Sequence, residues 1–209
     1  MKKQIKSKQR VVDFGEVYTN EREVNAMLDL VKHEANRIES RFLEPAAGNG
    51  NFLIKILERK MKVVRKRYKS SQREYERYTF LAVSSIYGID IQEDNIQESR
   101  ERLFKYIQKQ YRSLYKGECC EQFLESIRYL LNKNLICGDG LTGLKTGELA
   151  EPILFSEWSL IQNKVKRRDF AMCDMIAYEE FHTEQRPILK ARKEYPLIAL
   201  KEVAQLEYV

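Results

Sequence analysis

The sequence predicts an α/β fold: a mostly parallel sheet with helices on both faces. Two observations carry this expectation. Short apolar runs alternate with longer segments whose apolar residues recur at helical spacing. Parallel strands joined by helical crossovers bury both faces of their sheet. The second observation is the placement of glycine. Nine Gly fall at 15, 48, 50, 88, 117, 138, 140, 143 and 147, and none in the last 62 residues. Glycine permits tight turns and close backbone approach to a ligand. The ligand-handling part is therefore expected before about residue 147, with a different kind of structure after it. A chain of 209 residues is one domain.

The elements follow in order. The first ten residues carry five basic side chains and no acid, so residues 1–12 are expected as a flexible basic arm. Asn20 with Glu23 three residues on makes a capping box. Val24, Met27, Leu28, Val31 and Ile38 continue that helix. Arg41 to Glu44 is a short strand cut by Pro45, and Ala46 to Gly50 a turn. Phe52, Leu53, Ile56, Leu57, Met61 and Val64 give the next helix its apolar face. A polar, basic stretch runs to about Tyr78, and Phe80 to Ile91 reads as a buried strand. Ile96 to Leu114 and Phe123 to Leu131 have helical periods. Asn134 to Cys137 is a strand ending at Gly138-Asp139-Gly140, and Pro152 to Ile161 a strand or hairpin. Phe170 to Ile176 is a further apolar run, and Leu197, Leu200, Val203 and Leu206 suggest a closing helix.

Composition narrows the classes. No apolar run approaches the ~18 residues of a membrane helix, and the basic start lacks the apolar stretch of a secretion signal. The expected location is cytoplasmic, with no membrane partner. Cys119, Cys120, Cys137 and Cys173 show no CxxC spacing, and only His33 and His182 accompany them, so no metal site is expected. The charge of +6 favours an acidic partner.

Three clusters fall at predicted strand ends, where ligands of parallel sheets bind. In the first, Glu44-Pro-Ala-Ala-Gly48-Asn-Gly50, strand, turn and helix start follow one another. A classical dinucleotide turn would have a third Gly where Leu53 stands. In the second, Gly88-Ile-Asp90-Ile91, an acid ends a strand, placed either for ribose hydroxyls or to cap the helix that follows. It lies 40 residues after Gly50, against the ~20 of a nicotinamide-binding unit. In the third, Gly138-Asp139-Gly140, another acid stands in what could be only a turn.

Taken in this order, the clusters resemble the cofactor motifs of the S-adenosylmethionine-dependent adenine-N6 DNA methyltransferases related to type I and type IIG restriction-modification subunits. Glu44 to Leu53 resembles the motif D/E-P-A-C-G-S/T-G-x-F-L. Gly88 to Ile91, followed by Asn95 and Arg102, resembles the second motif, and Cys137-Gly-Asp139 the third. Gly15-Glu-Val-Tyr18-Thr19 is similar to the segment G-x-F/V-Y-T-P, with Asn20 in the proline's place. The resemblance spans roughly residues 13 to 141 and implies a Rossmann-like class I methyltransferase fold, with S-adenosyl-L-methionine as cofactor and adenine N6 in DNA as acceptor. It implies that Tyr18 and Thr19 close over the methionine end, where Glu44 holds the amino group. Ala46, Gly48 and Gly50 admit the cofactor's close approach. Asp90 takes the ribose hydroxyls, Ile91 packs on adenine, and Asp139 accepts from the adenine amine.

The family's catalytic Asp/Asn-Pro-Pro-Tyr/Phe is altered. Asp174 holds the first place, Met175 and Ile176 the Pro-Pro places, and Tyr178 comes one residue late. Asp174 and Tyr178 are the catalytic candidates, as amine acceptor and base-stacking aromatic. The 33 residues after Ile176 are fewer than the family's remaining strands need, so the fold is expected to be compact or incomplete in its C-terminal half. The runs 60–69 and 164–168 are basic enough for DNA phosphates, or are solvated faces. Trp158, Tyr178 and Phe181 could stack on a base or belong to the core. The expected activity is adenine-N6 methyl transfer. The alternative is a catalytically inactive, cofactor-binding accessory subunit of a restriction-modification or mobile-element system, with a protein partner supplying target recognition.

Overall fold

The computed structural model describes residues 5–147, 150–180 and 189–208. Three strands form the parallel part of the first sheet: β1 (Phe42–Glu44), β2 (Ile86–Asp90) and β3 (Leu135–Asp139). β4 (Leu144–Lys145) runs antiparallel on the outer edge of β3. The register pairs Glu44 with Gly88 and Asp90 with Cys137. It thereby brings the carboxyl ends of the three parallel strands, and the acid that ends each, to one edge of the sheet.

Helices precede and connect these strands. α1 (Lys8–Phe14), α2 (Glu21–Leu30) and α3 (Lys32–Ala35) come first. The predicted capping box starts α2: Asn20 Oδ1 accepts from Arg22 N, and Glu23 closes back on the Asn20 N–H. Each parallel connection holds two helices: α4 (Asn51–Tyr68) with α5 (Gln72–Ser84), then α6 (Glu93–Leu114) with α7 (Glu121–Asn134). α5 replaces the first half of the strand expected over Phe80 to Ile91. Ser71 caps it, and Tyr75, Thr79, Phe80 and Val83 continue its buried face at helical spacing into Ser84.

The pleat separates two cores. Ile86 and Leu135 belong to the larger one, with Leu53, Leu57, Ile96 and Ile107 from the helices. Ile89 and Ile136 belong to a smaller one, with Ile153, Phe155 and Met172. Helices on both faces were the expectation. Instead, the second face is met by a second, antiparallel sheet. Its strands are β5 (Leu154–Ile161), β6 (Lys164–Ala171), β7 (Lys193–Glu194) and β8 (Ile198–Ala199), with β5 and both short strands paired to β6. The apolar run expected over Phe170 to Ile176 is divided between the end of β6 and α8 (Met172–Glu180). The closing helix is a 3-10 helix, Leu200–Tyr208, that buries Val203 and Leu206.

The charged segments depart most from expectation. Within 1–12, α1 stands in place of the second half of the arm, with Ser7 at its N-cap and Gly15 at its C-cap, and Lys6 and Arg10 pair with Asp94. Lys60 cannot meet a phosphate. It is fully buried and donates to the carbonyls of Ile38 (3.2 Å) and Ser40 and to Ser85 Oγ (2.5 Å), joining the approaches to β1 and β2. Burial lowers its ammonium to about 7, against the attraction of Glu39 and Glu34. The run 164–168 is largely neutralised: Lys166 pairs with Glu194, Arg168 with Glu157, and buried Arg167 with buried Asp169. Trp158 is core, its indole N–H donating to Asn134 Oδ1 (2.9 Å). Phe181 lies outside the described residues. No helix among the described residues is long and apolar enough to cross a membrane.

Candidate functional site

A cleft of about 630 Å³ opens at the carboxyl ends of β1, β2 and β3. Its walls come from residues 15–19, 45–49, 90–92 and 139–141, with Asn51, Phe52 and Asn95. Four sequence segments that are far apart in the chain thus meet in one place. Of the nine expected cofactor residues, Tyr18, Thr19, Ala46, Gly48, Asp90, Ile91 and Asp139 line it.

Asp90 is anchored by three hydrogen bonds. Its Oδ2 accepts from the Gly48 N–H (2.8 Å), and its Oδ1 from the Gln92 N–H (2.9 Å) and Asn95 Nδ2 (3.1 Å). The first bond crosses from the turn after β1 to the end of β2 and fixes the two motifs against each other. The second is a local contact to the N–H of Gln92, the residue that precedes α6. Ile91, 42% exposed, presents an apolar side chain beside it. Asp139 Oδ1 accepts from the Leu141 N–H (2.8 Å), and this bond holds its carboxyl below the usual range.

Gly48 needs to be glycine on two grounds. Its φ is +52°, and a Cβ would meet the Tyr18 ring at 3.3 Å. The Tyr18 hydroxyl lies 2.9 Å from Glu16 Oε1 and 3.0 Å from Asn95 Oδ1. Burial, then the neighbouring Glu16, push the phenol well above its usual range. The Thr19 carbonyl accepts from Asn51 Nδ2 (3.1 Å), which attaches the 15–19 segment to the first turn of α4.

Two expected cofactor residues stand outside the cleft wall. Gly50, with φ +83°, faces α6, where a Cβ would lie 2.8 Å from Ser99 Oγ. It serves the packing of α4 on α6. Glu44 is half-buried, its Oε1 accepting from the Ala46 N–H (3.2 Å). Burial pushes its carboxyl up, opposed by that one bond, and no cation pairs with it among the described residues.

Of the catalytic candidates, Asp174 is not among the residues that line the cleft. In sequence, Asp174 lies within the apolar run Phe170 to Ile176. In the structure it lies in the first turn of α8, after the antiparallel β6, and both its oxygens pair with Arg192 at 2.6 Å. Arg192 holds its carboxyl below the usual range. Tyr178 falls within α8, and its side chain is outside the described set. Two residues without an assigned role are built into the site. Asn95 is 1% exposed and contacts Asp90, Tyr18 and Glu16. Glu16 accepts from Asn95 and Arg10. An acid between Gly15 and Tyr18 was the only sequence signal for Glu16.

The electrostatics of the cleft are one-sided. Glu16, Asp90 and Asp139 line it, and no Lys, Arg or His is among its lining residues. Such a surface can accept hydrogen bonds from hydroxyls and amines and attract a cation. It disfavours a pyrophosphate. Comparison of the chain with protein-family models, curated proteins and solved structures finds no match.

Proposed function

We propose that the cleft binds S-adenosyl-L-methionine on a Rossmann-like class I methyltransferase core, and that the chain serves methyl transfer to the exocyclic N6 of adenine in DNA. The observation that carries the cofactor reading is the set of acidic residues at the ends of three parallel strands, with no base in the cleft wall. The donor chemistry fits. A sulfonium and an ammonium are cations, and ribose hydroxyls and the adenine amine are donors. Asp90 is anchored for the ribose and Asp139 stands near the expected adenine. Glu44, with no cationic partner, suits the amino group. Gly48 keeps open the space that a side chain would fill against Tyr18. The bound cofactor would supply the electrophilic methyl. Adenine N6 as acceptor, DNA as substrate and a restriction-modification setting rest on the resemblance of the motifs.

A second reading has its own support: an accessory, cofactor-binding subunit that does not transfer methyl by itself. Asp174 is engaged by Arg192, outside the cleft wall, and β1 has no strand on its outer edge among the described residues. A protein partner would then supply target recognition and the acceptor.

One experiment addresses both. Calorimetry is run with S-adenosylmethionine, with NAD as control, on wild type and Asp90→Ala. Tritiated cofactor with an adenine-containing duplex follows. The expected outcome is binding of S-adenosylmethionine but not NAD, weakened by about 1–3 kcal/mol in Asp90→Ala. Equal affinity in wild type and variant would remove Asp90 from the site. Cofactor bound without transfer, in wild type and Asp174→Ala alike, supports the accessory reading.

A further inference from the structure

Glu16 is half-buried at the junction of three parts of the molecule, its side chain 9% exposed. Arg10 Nε, on α1, donates to its Oε2. Its Oε1 takes Asn95 Nδ2 at 2.6 Å, Tyr18 OH at 2.9 Å and Arg10 Nη2 at 3.2 Å. A carboxylate only accepts, so Asn95 must turn its amide N–H₂ towards Glu16. The second hydrogen of that group then reaches Asp90 Oδ1 at 3.1 Å. The Asn95 carbonyl is left facing Tyr18 OH (3.0 Å) and Lys6 Nζ (3.2 Å). The opposite orientation would aim that oxygen at two carboxylates. One half-buried acid thus sets the direction of a buried amide, and the amide braces the acid at the end of β2.

The same contacts hold the cleft's wall over residues 15–19. Arg10 also pairs with Asp94, and Lys6 with Asp94 and Glu98, so the segment before Gly15 lies against the start of α6. α1 itself is closed locally, by Ser7 and by the Gly15 N–H, and its formation does not call on Glu16. Glu16 adds the contact that joins this segment to Asn95, and the helix forms without it.

We propose that Glu16 is a positioning residue of the nucleoside site: it orients Asn95, which fixes Asp90 and Tyr18, so that residues 10–19 close on the cleft as one clasp. The proposal rests on the cofactor reading above for its ligand, and its geometry can be measured without one. Glu16→Ala, Glu16→Gln and wild type are compared in three measurements: hydrogen exchange of amides 10–20 without ligand, the NMR signal of the Asn95 side-chain amide, and calorimetry with S-adenosylmethionine. In Glu16→Ala, exchange over 10–20 should speed at least tenfold, the Asn95 signal should shift and lose protection, and affinity should fall about tenfold. Glu16→Gln, which keeps the acceptor oxygen but loses the charge facing Arg10, should fall between. Unchanged exchange and Asn95 signal in both variants overturn the proposal, and if affinity still falls, Glu16 acts on the ligand directly. If wild type binds no S-adenosylmethionine, the cofactor reading fails alone, and the two ligand-free measurements still decide the clasp.

Discussion

Glu44 is a half-buried acid without a cationic partner among the described residues, and that has opposite consequences for folding and for binding. Burial raises its carboxyl above the ordinary value of 4.5, outweighing the Ala46 N–H bond. An acid whose folded pKa is raised binds more protons folded than unfolded, so its stabilising effect exists at low pH and is lost as pH rises through the folded value. At neutral pH the charged side chain is therefore a burden on the fold, and a cationic ligand would relieve it. Glu44→Gln is expected to leave the melting temperature at pH 7 unchanged or higher, and to weaken S-adenosylmethionine. In wild type, affinity should begin to fall on acidification at a higher pH than an ordinary carboxylate would give, and this limb should be absent from Glu44→Gln. Calorimetry over a pH series beside thermal melts checks both halves. A variant that binds as wild type across that range removes Glu44 from the site. At this scale the sequence was readable where a short motif joined an acid to glycine: Asp90, Asp139 and Gly48 lie in the cleft wall. Glu16 had no such signal. Its importance comes from Arg10 and from Asn95, 79 residues away, and only the fold brings the latter to it.

Helices and strands were legible wherever apolar period and polarity agreed, as in α4, α6 and α7. They were not legible where a charge is buried. β6 reads in sequence as a basic run, Lys164-Val-Lys-Arg-Arg, yet its buried residues alternate: Val165, Arg167, Asp169, Ala171. Arg167 and Asp169 share the inner face two residues apart. Arg167 Nε donates to Asp169 Oδ1 (2.8 Å) and Ser156 Oγ (3.0 Å), Nη2 donates to Asp169 Oδ2 (2.7 Å), and Tyr195 OH donates to Oδ2 (3.1 Å). A polarity pattern assigns such residues to solvent, so the strand was missed and its cations were read as phosphate contacts or a solvated face. α5 was missed for the converse reason, since its apolar end runs straight into β2. Arg167→Ala would leave Asp169 charged and unpaired in the core, a class of change that costs about 3–5 kcal/mol. Lys164→Ala, at the exposed start of the same strand, should change stability by no more than about 0.5 kcal/mol. Urea unfolding of the two variants tests this. Equal midpoints would mean that Arg167 is solvated after all.

Across the whole molecule, the net charge of +6 is not spread evenly once internal pairs are removed. The run 164–168 is engaged by Glu157, Asp169 and Glu194, and the N-terminal cations Lys6 and Arg10 by Asp94. The densest run of cations left is the end of α4 and its C-cap, where Lys62, Arg65, Lys66, Arg67 and Lys69 are exposed and none forms an ion pair among the described residues. α4 begins at the cleft with Asn51, and at 1.5 Å per residue Lys69 lies roughly 27 Å along its axis from that start. A duplex held by those side chains alone would sit far from the cofactor. Two expectations follow for the chain by itself. DNA binding should be weak and tolerant of sequence, because bonds to phosphate carry no base information. Replacing Lys62, Lys66, Arg67 and Lys69 by Ala should lower affinity. It should also reduce the slope of log K against log salt, by up to about 0.9 for each phosphate no longer neutralised. Lys164→Ala with Lys166→Ala should leave that slope nearly unchanged. The measurement is a salt titration of a labelled duplex by fluorescence anisotropy, repeated with saturating S-adenosylmethionine. Because patch and cleft are at opposite ends of α4, the cofactor should not alter DNA affinity. A slope that survives removal of the α4 cations, or an affinity that rises severalfold with cofactor, would move the DNA surface to the cleft and favour a chain that transfers methyl unaided.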